Sequence, residues 1–108
     1  MKCTREMMRL YAVTDRAWVG EMTLMEQVEA ALKNGASCIQ LREKKLEYEA
    51  FLEEARDMVA LCRRYNVPFI VNDAVDIAVR VGADGIHVGQ DDMMASDVRK
   101  QVGPDMII

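Results

Sequence analysis

Short apolar runs alternate with amphipathic segments along the whole chain. Each run has the length and the apolar content of a buried β-strand. Strands that alternate with helical segments at this spacing predict parallel βαβ units, since parallel neighbours need a crossover connection. The runs are Leu10 to Val13, Cys38 to Leu41, Pro68 to Val71, Gly85 to Val88 and Met106 to Ile108.

The segments between the runs carry the signals of helix starts and ends. Thr23 and Glu26 have the spacing of a capping box at the start of the first helix, which ends at Asn34-Gly35. Three more helices are predicted at 47–65, at 74–81, and after Ser96 as N-cap, the last of them ending before Gly103.

Composition and charge favour a soluble cytoplasmic protein. With a net charge of −4 and no dense basic window, the chain is not expected to bind nucleic acid. Cys3, Cys38 and Cys62 are widely spaced without a C-x-x-C pair, which is typical of reduced thiols. The first residues form no long apolar run, so neither a signal peptide nor membrane association is expected.

Polar residues continue the second apolar run. Period-2 alternation places Gln40, Arg42 and potentially Lys44 on the side opposite Ile39 and Leu41. In a barrel, Gln40 and Arg42 then point inward near the carboxyl ends of the strands. A guanidinium is costly to desolvate there unless an anion or a carboxylate meets it. A bound phosphate and an internal salt bridge to a neighbouring strand both satisfy Arg42, and both interpretations stay open.

The third run ends abruptly in an amide and a carboxylate, Asn72 and Asp73. Asn72 is suited to the hydrogen-bonding edge of a substrate, and Asp73 to a hard cation such as Mg²⁺. The alternative is that one of them caps the helix that follows.

The fourth run contains His87, the chain's one histidine, and leads into Asp91 and Asp92. A lone strand histidine is more often a satisfied core residue than a catalyst, and paired acids also occur in solvated turns. Three consecutive strand ends nevertheless carry polar groups on one predicted rim. Together they indicate a metal and diphosphate site.

Four blocks resemble the thiamine phosphate synthase family in order and spacing. They are Leu10-Tyr11-Ala12-Val13-Thr14-Asp15, Gln40-Leu41-Arg42-Glu43-Lys44, Val71-Asn72-Asp73 and Gly82-Ala83-Asp84-Gly85-Ile86-His87-Val88-Gly89-Gln90-Asp91-Asp92. The resemblance implies an α/β fold of parallel units of a (β/α)8 barrel. It also implies Mg²⁺-dependent transfer of hydroxymethylpyrimidine from its diphosphate to a thiazole phosphate, which gives thiamine phosphate and pyrophosphate.

The resemblance also assigns roles to residues. Gln40, Arg42 and Lys44 are expected to hold the pyrimidine substrate and its diphosphate, with Asn72 on the pyrimidine side and His87 in the pyrimidine pocket. Asp73 and Asp92 are the expected Mg²⁺ ligands. A dissociative route through a pyrimidine-stabilised cation needs no protein nucleophile, acid or base, and none is assigned.

The length departs from the family, because a closed barrel normally needs about 200 residues. Residues 1–108 are therefore expected to be the N-terminal half of one barrel domain, ending within the fifth strand and inactive alone. Open sheet edges would permit self-association. Two alternatives are a paralogue resembling thiazole tautomerase and a noncatalytic half-barrel that binds ligand. The set Arg42, Lys44, Asp73 and Asp92 favours the synthase.

Overall fold

Four parallel strands form a single sheet at the centre of the protein. The computed structural model describes residues 1–18 and 20–108. The sheet has the order β1-β2-β3-β4, so neighbours in the chain are neighbours in the sheet. This confirms the prediction of a parallel α/β fold. The strands are β1 (Tyr11–Val13), β2 (Cys38–Leu41), β3 (Phe69–Asn72) and β4 (Gly85–His87).

A short 3₁₀ turn and four helices connect the strands. The turn is Arg16–Trp18, and the helices are α1 (Leu24–Lys33), α2 (Tyr48–Arg64), α3 (Val75–Val81) and α4 (Ala95–Val102).

The predicted helix caps are partly confirmed. The capping box is present, with the Glu26 amide donating to the Thr23 hydroxyl and the Thr23 amide to Glu26, both at 3.1 Å. The prediction of Ser96 as N-cap is wrong, because α4 begins at Ala95, two residues earlier than that cap implies, and its N-cap is Met94. Met94 contributes no side-chain cap, so the extended backbone before the helix determined its start rather than a hydroxyl.

One face of the sheet packs against the helices and supplies the core. Ile39 and Leu41 of β2 and Phe69 and Val71 of β3 are almost fully buried in one apolar cluster with residues of α1, α2 and α3. Each such side chain contributes about 1.5–3 kcal/mol by leaving water. Because strand residues alternate between faces, their neighbours, including Gln40, lie on the opposite face of the sheet.

The fifth apolar run lies beside β4. Ile107 forms a parallel bridge to Gly85, in which the Ile86 amide donates to the Ile107 carbonyl at 2.9 Å. Gly85 permits this approach. A Cβ there would lie 2.6 Å from Ile70 and 2.9 Å from Ile107.

Within residues 1–18 and 20–108, no helix is both long enough and apolar enough to span a bilayer.

Candidate functional site

The carboxyl ends of the four parallel strands meet along one edge of the sheet, which we call the rim. It comprises residues 14–16, 42–44, 72–73 and 87–92, which follow or end β1, β2, β3 and β4 in turn. All seven site residues predicted from the sequence lie on the rim or, for Gln40, directly beneath it. In parallel α/β folds, ligands characteristically bind at this end of the strands.

A chain of hydrogen bonds runs across the opposite face of the sheet toward the rim. The Gln40 side-chain amide donates to the Tyr11 hydroxyl at 2.9 Å, and the Asn72 side-chain amide donates to Gln40 Oε1 at 2.8 Å. The Lys44 ammonium donates to Asn72 Oδ1 at 2.7 Å. Gln40 and Asn72 are only 3% and 6% exposed. Each buried amide is therefore held in one orientation by a partner at either end.

This network joins three predicted site residues and one that the sequence analysis missed. Tyr11 terminates the chain of bonds, and burial raises the pKa of its phenol above the usual value. Its position gave a signal, because Tyr11 and Gln40 both fall on the face opposite the helices by period-2 alternation. The Lys44 charge is consequently fixed to the sheet by a short, charge-assisted bond.

Hydrogen bonds fix the backbone of Arg42, whereas its side chain is exposed to solvent. The Arg42 amide donates to the Thr14 hydroxyl at 2.9 Å, and that hydroxyl donates back to the Arg42 carbonyl at 3.4 Å. Within residues 1–18 and 20–108, the guanidinium joins no ion pair, so the internal salt bridge considered for it is not observed. A pocket of about 300 Å³ beside it is lined by Asp15, Arg16, Ala17, Arg42, Glu43, Lys44 and Lys45.

Asn72 and Asp73 do not cap α3. The N-cap is Ala74, which has no side-chain cap bond, so the capping alternative is wrong for both residues. Asp73 has a left-handed backbone with φ of +64°, and its amide donates to the His87 carbonyl at 2.8 Å. Asp is among the few residues that adopt this conformation readily.

His87 and Asp92 occupy the β4 side of the rim. His87 is exposed, so the interpretation as a satisfied core residue is wrong. It borders a pocket of about 170 Å³ together with Tyr11 and Ile70. One Asp92 carboxylate oxygen accepts from the Gly89 amide at 2.8 Å. Asp92 therefore does stabilise a turn, and its second oxygen is left for another partner.

Asp73 and Asp92 have the donor chemistry that would suit a magnesium ion whose coordination is shared with a ligand. Among the described residues, no cluster of three or more His, Cys, Asp or Glu side chains could enclose a metal. Mg²⁺ keeps several waters and is usually bound through one or two carboxylates together with substrate phosphates. Asp73 and Asp92 follow adjacent strands, and Asp73 accepts no hydrogen bond within the described ranges. These two side chains are therefore the groups that would hold the ion.

A charged cluster missed by the sequence analysis connects the first two strand ends. Arg16 donates through Nε and Nη2 to one Glu43 oxygen, at 3.1 and 2.9 Å, and also donates to Glu54 of α2. Burial, followed by proximity to Glu43, raises the pKa of Glu54 to about 7. Sequence patterns do not reveal this cluster, since its members lie on three separate elements.

Comparison with known proteins identifies the family of this chain. A sequence profile described as thiamine monophosphate synthase matches residues 10–108. The chain belongs to the thiamine monophosphate synthase family. It is similar to a solved structure titled thiamine phosphate pyrophosphorylase from Pyrococcus furiosus, with a TM-score of 0.87 and 36% identity over 96% of this chain and 50% of that one.

Family relatives include single-function and bifunctional proteins. The chain is 48% identical to the thiamine-phosphate synthase of Caldanaerobacter subterraneus, over 92% of this chain and 46% of the relative. It is 49% identical to the thiamine biosynthetic bifunctional enzyme of Saccharomyces cerevisiae, over 92% of this chain and 18% of that protein. The chain thus spans about half the length of the single-function relative and less of the bifunctional one.

Proposed function

We propose that this chain contributes the pyrimidine-diphosphate and magnesium side of a thiamine phosphate synthase. The reaction joins hydroxymethylpyrimidine diphosphate to thiazole phosphate and releases pyrophosphate. The observation that carries the proposal is the Lys44–Asn72–Gln40 chain of hydrogen bonds, which ends at the pocket that Arg42 also lines. In the part of the chain that the structure describes, neither of these two cationic groups forms an ion pair with a carboxylate.

Each residue has a distinct role in this proposal. Arg42 and Lys44 bind diphosphate oxygens, for which guanidinium and ammonium donors are suited. Gln40 and Asn72 position Lys44 and face the pyrimidine, and His87 borders the same face of the sheet. Asp73 and Asp92 would hold Mg²⁺, a group that would supply further positive charge for the departing diphosphate. Donors fixed in advance stabilise developing charge without reorganising during the reaction.

We further propose that residues 1–108 form the first part of a (β/α)8 barrel. The TM-score of 0.87 over half of the Pyrococcus chain supports this, as does the parallel bridge at Ile107 that extends the sheet beyond β4. The thiazole phosphate then binds to groups outside these residues. The synthase is favoured over a tautomerase-like paralogue or a noncatalytic half-barrel by the names of the relatives and by the cationic rim.

The test is an activity assay with both substrates and Mg²⁺, carried out on the full-length protein that contains these 108 residues. We expect thiamine phosphate and pyrophosphate in equal amounts and no product after chelation of the metal. Arg42→Gln should lower the rate at least about tenfold, the loss expected for one hydrogen bond to a charged group. Arg56→Gln, at an exposed position on α2, is the matched control.

Residues 1–108 alone should form no thiamine phosphate. Holding both reactants in near-attack geometry contributes about 7–11 kcal/mol, and the described rim provides for one of them. Turnover by residues 1–108, or tautomerisation of a thiazole by the longer protein, would contradict the proposal.

A further inference from the structure

We infer that Arg16 is a positioning residue that acts through Glu43 to orient the anion-binding groups of Arg42 and Lys44. The inference rests on the proposed function and concerns the same rim. It assigns a role to a residue that lies outside the four predicted site segments. It also predicts the effect of changing Glu43, which a simple electrostatic view predicts with the opposite sign.

The geometry of the cluster fixes Glu43 firmly. Two nitrogens of Arg16 converge on the same Glu43 oxygen, and the Glu43 side chain is only 5% exposed. The Arg16 Nη2 group also donates to Glu54, which ties the cluster to α2. Arg16 itself is 47% exposed, so it spans from the solvent edge to a buried carboxylate. A planar guanidinium that joins two carboxylates leaves little freedom to either.

Glu43 stands in the chain directly between the two proposed anion-binding residues. On one side, the Thr14 hydroxyl holds the backbone of Arg42, and on the other, Asn72 holds the Lys44 ammonium. Residues 42–44 follow β2 and are no longer part of the strand. Their conformation is therefore held by side-chain hydrogen bonds rather than by the backbone hydrogen bonds of the sheet. Because the cluster holds the Glu43 side chain, Arg42 and Lys44 on either side of it are kept available to a ligand. Ligand binding then costs less conformational entropy, because this segment is already ordered.

The charge state of the cluster supplies an independent readout. The groups that face Glu54 are Arg16 from the 3₁₀ turn and Glu43 from the segment after β2, and one Glu54 oxygen is buried without a hydrogen-bond partner among the described residues. Burial raises the pKa of Glu54 to about 7. Near neutral pH, a proton is therefore exchanged beside the segment that carries Arg42 and Lys44. Its loss makes two carboxylates compete for Arg16.

The experiment measures binding of magnesium pyrophosphate by calorimetry to the wild-type chain and to variants. Arg16→Gln should weaken binding about tenfold, corresponding to the loss of one charged hydrogen bond. Arg16→Lys should recover part of the loss. Glu43→Gln should also weaken binding, although it removes a negative charge, and the double variant should be no weaker than either single one. Arg56→Gln is the control and should match the wild type.

Two further measurements separate positioning from general stability. Hydrogen exchange of the amides at 42–46 without ligand should accelerate in Arg16→Gln and Glu43→Gln and stay unchanged in the control. Glu54→Gln should change the dependence of pyrophosphate affinity on pH between 6 and 8 relative to the wild type, while the dependence that comes from the titration of pyrophosphate itself is common to both. Glu54→Gln also provides a second test of the inference in case Arg16→Gln does not fold.

The outcomes distinguish the inference from the proposed function. If the wild-type chain binds no pyrophosphate, the proposed anion site fails and the inference fails with it. If the wild type binds and Arg42→Gln weakens binding, but Glu43→Gln strengthens it, Arg16 does not act through Glu43. Unchanged exchange at 42–46 in Arg16→Gln would overturn the inference in the same way.

Discussion

The two sides of the rim are built on different principles. At the ends of β1, β2 and β3, Gln40 and Asn72 are buried and bonded on both sides, and Lys44 joins them. Asp73 and Asp92 follow β3 and β4, near the exposed His87, and within residues 1–18 and 20–108 each has a carboxylate oxygen that accepts no hydrogen bond. The buried amides of the first side are satisfied by partners within the protein. The proposed role of the second side is to bind a metal ion together with a ligand.

The difference shows how burial separates positioning from binding. Buried amides must be satisfied internally, since an unpaired polar group away from water is costly, and their bonds then give the site its rigidity. Asp73 is exposed and Asp92 is half-buried, so their carboxylates can keep water contacts until a cation displaces them. Substitutions of the buried amides Gln40 and Asn72 should therefore reduce stability, whereas substitutions of the two acids should reduce ligand binding with little effect on stability.

The largest stability effect is expected for Asn72→Leu. Leucine removes the partner of both Gln40 and Lys44, and the Gln40 carbonyl oxygen would stay buried without a donor. We expect the free energy of unfolding to fall by about 3 kcal/mol, measured by urea denaturation. Gln101→Leu, at an exposed position on α4, is the control and should change it by no more than about 0.5 kcal/mol. Equal stabilities would show that the network contributes nothing to the fold.

A smaller effect is expected from pH through Glu54. Burial raises the pKa of this carboxyl from 4.5 to about 7, so between these values the folded chain binds a proton that the unfolded chain has lost. The free energy of unfolding should thus fall as pH rises through this window, by no more than about 1.4 kcal/mol per pH unit. Glu54→Gln should remove this slope and the exposed Glu53→Gln should retain it, in denaturation curves from pH 4 to 8. A slope that survives in Glu54→Gln would assign it to another group.

The smallest stability effect is expected on the second side, for Asp73→Asn. Asparagine tolerates the left-handed backbone at this position, so the fold should change by less than about 0.5 kcal/mol. Loss of the charge should nevertheless weaken magnesium-dependent pyrophosphate binding about tenfold. Calorimetry with and without Mg²⁺ measures this difference. If Asp73→Asn destabilised the chain as much as Asn72→Leu, the two sides of the rim would not differ as argued.

Much of the fold followed from local pattern. The first four strands and the capping box at Thr23 were predicted because apolar periodicity and cap chemistry act over a few residues. Ser96 was misplaced as a cap because a hydroxyl near a helix start is a preference that backbone geometry overrides. The fifth apolar run pairs with β4 through the parallel bridge between Gly85 and Ile107.

The sequence by itself determined which side chains stand at the strand ends, and the family to which those blocks belong. Only the tertiary structure decided how the side chains pair. Asn72 bonds to Gln40, which is 32 residues away in the sequence, and to Lys44, which is 28 residues away. Both contacts depend on the register of β2 against β3. Alternation assigns a residue to a face, whereas register selects its neighbour across the sheet. The Arg16 cluster likewise exists only once a turn, a strand end and a helix have packed together.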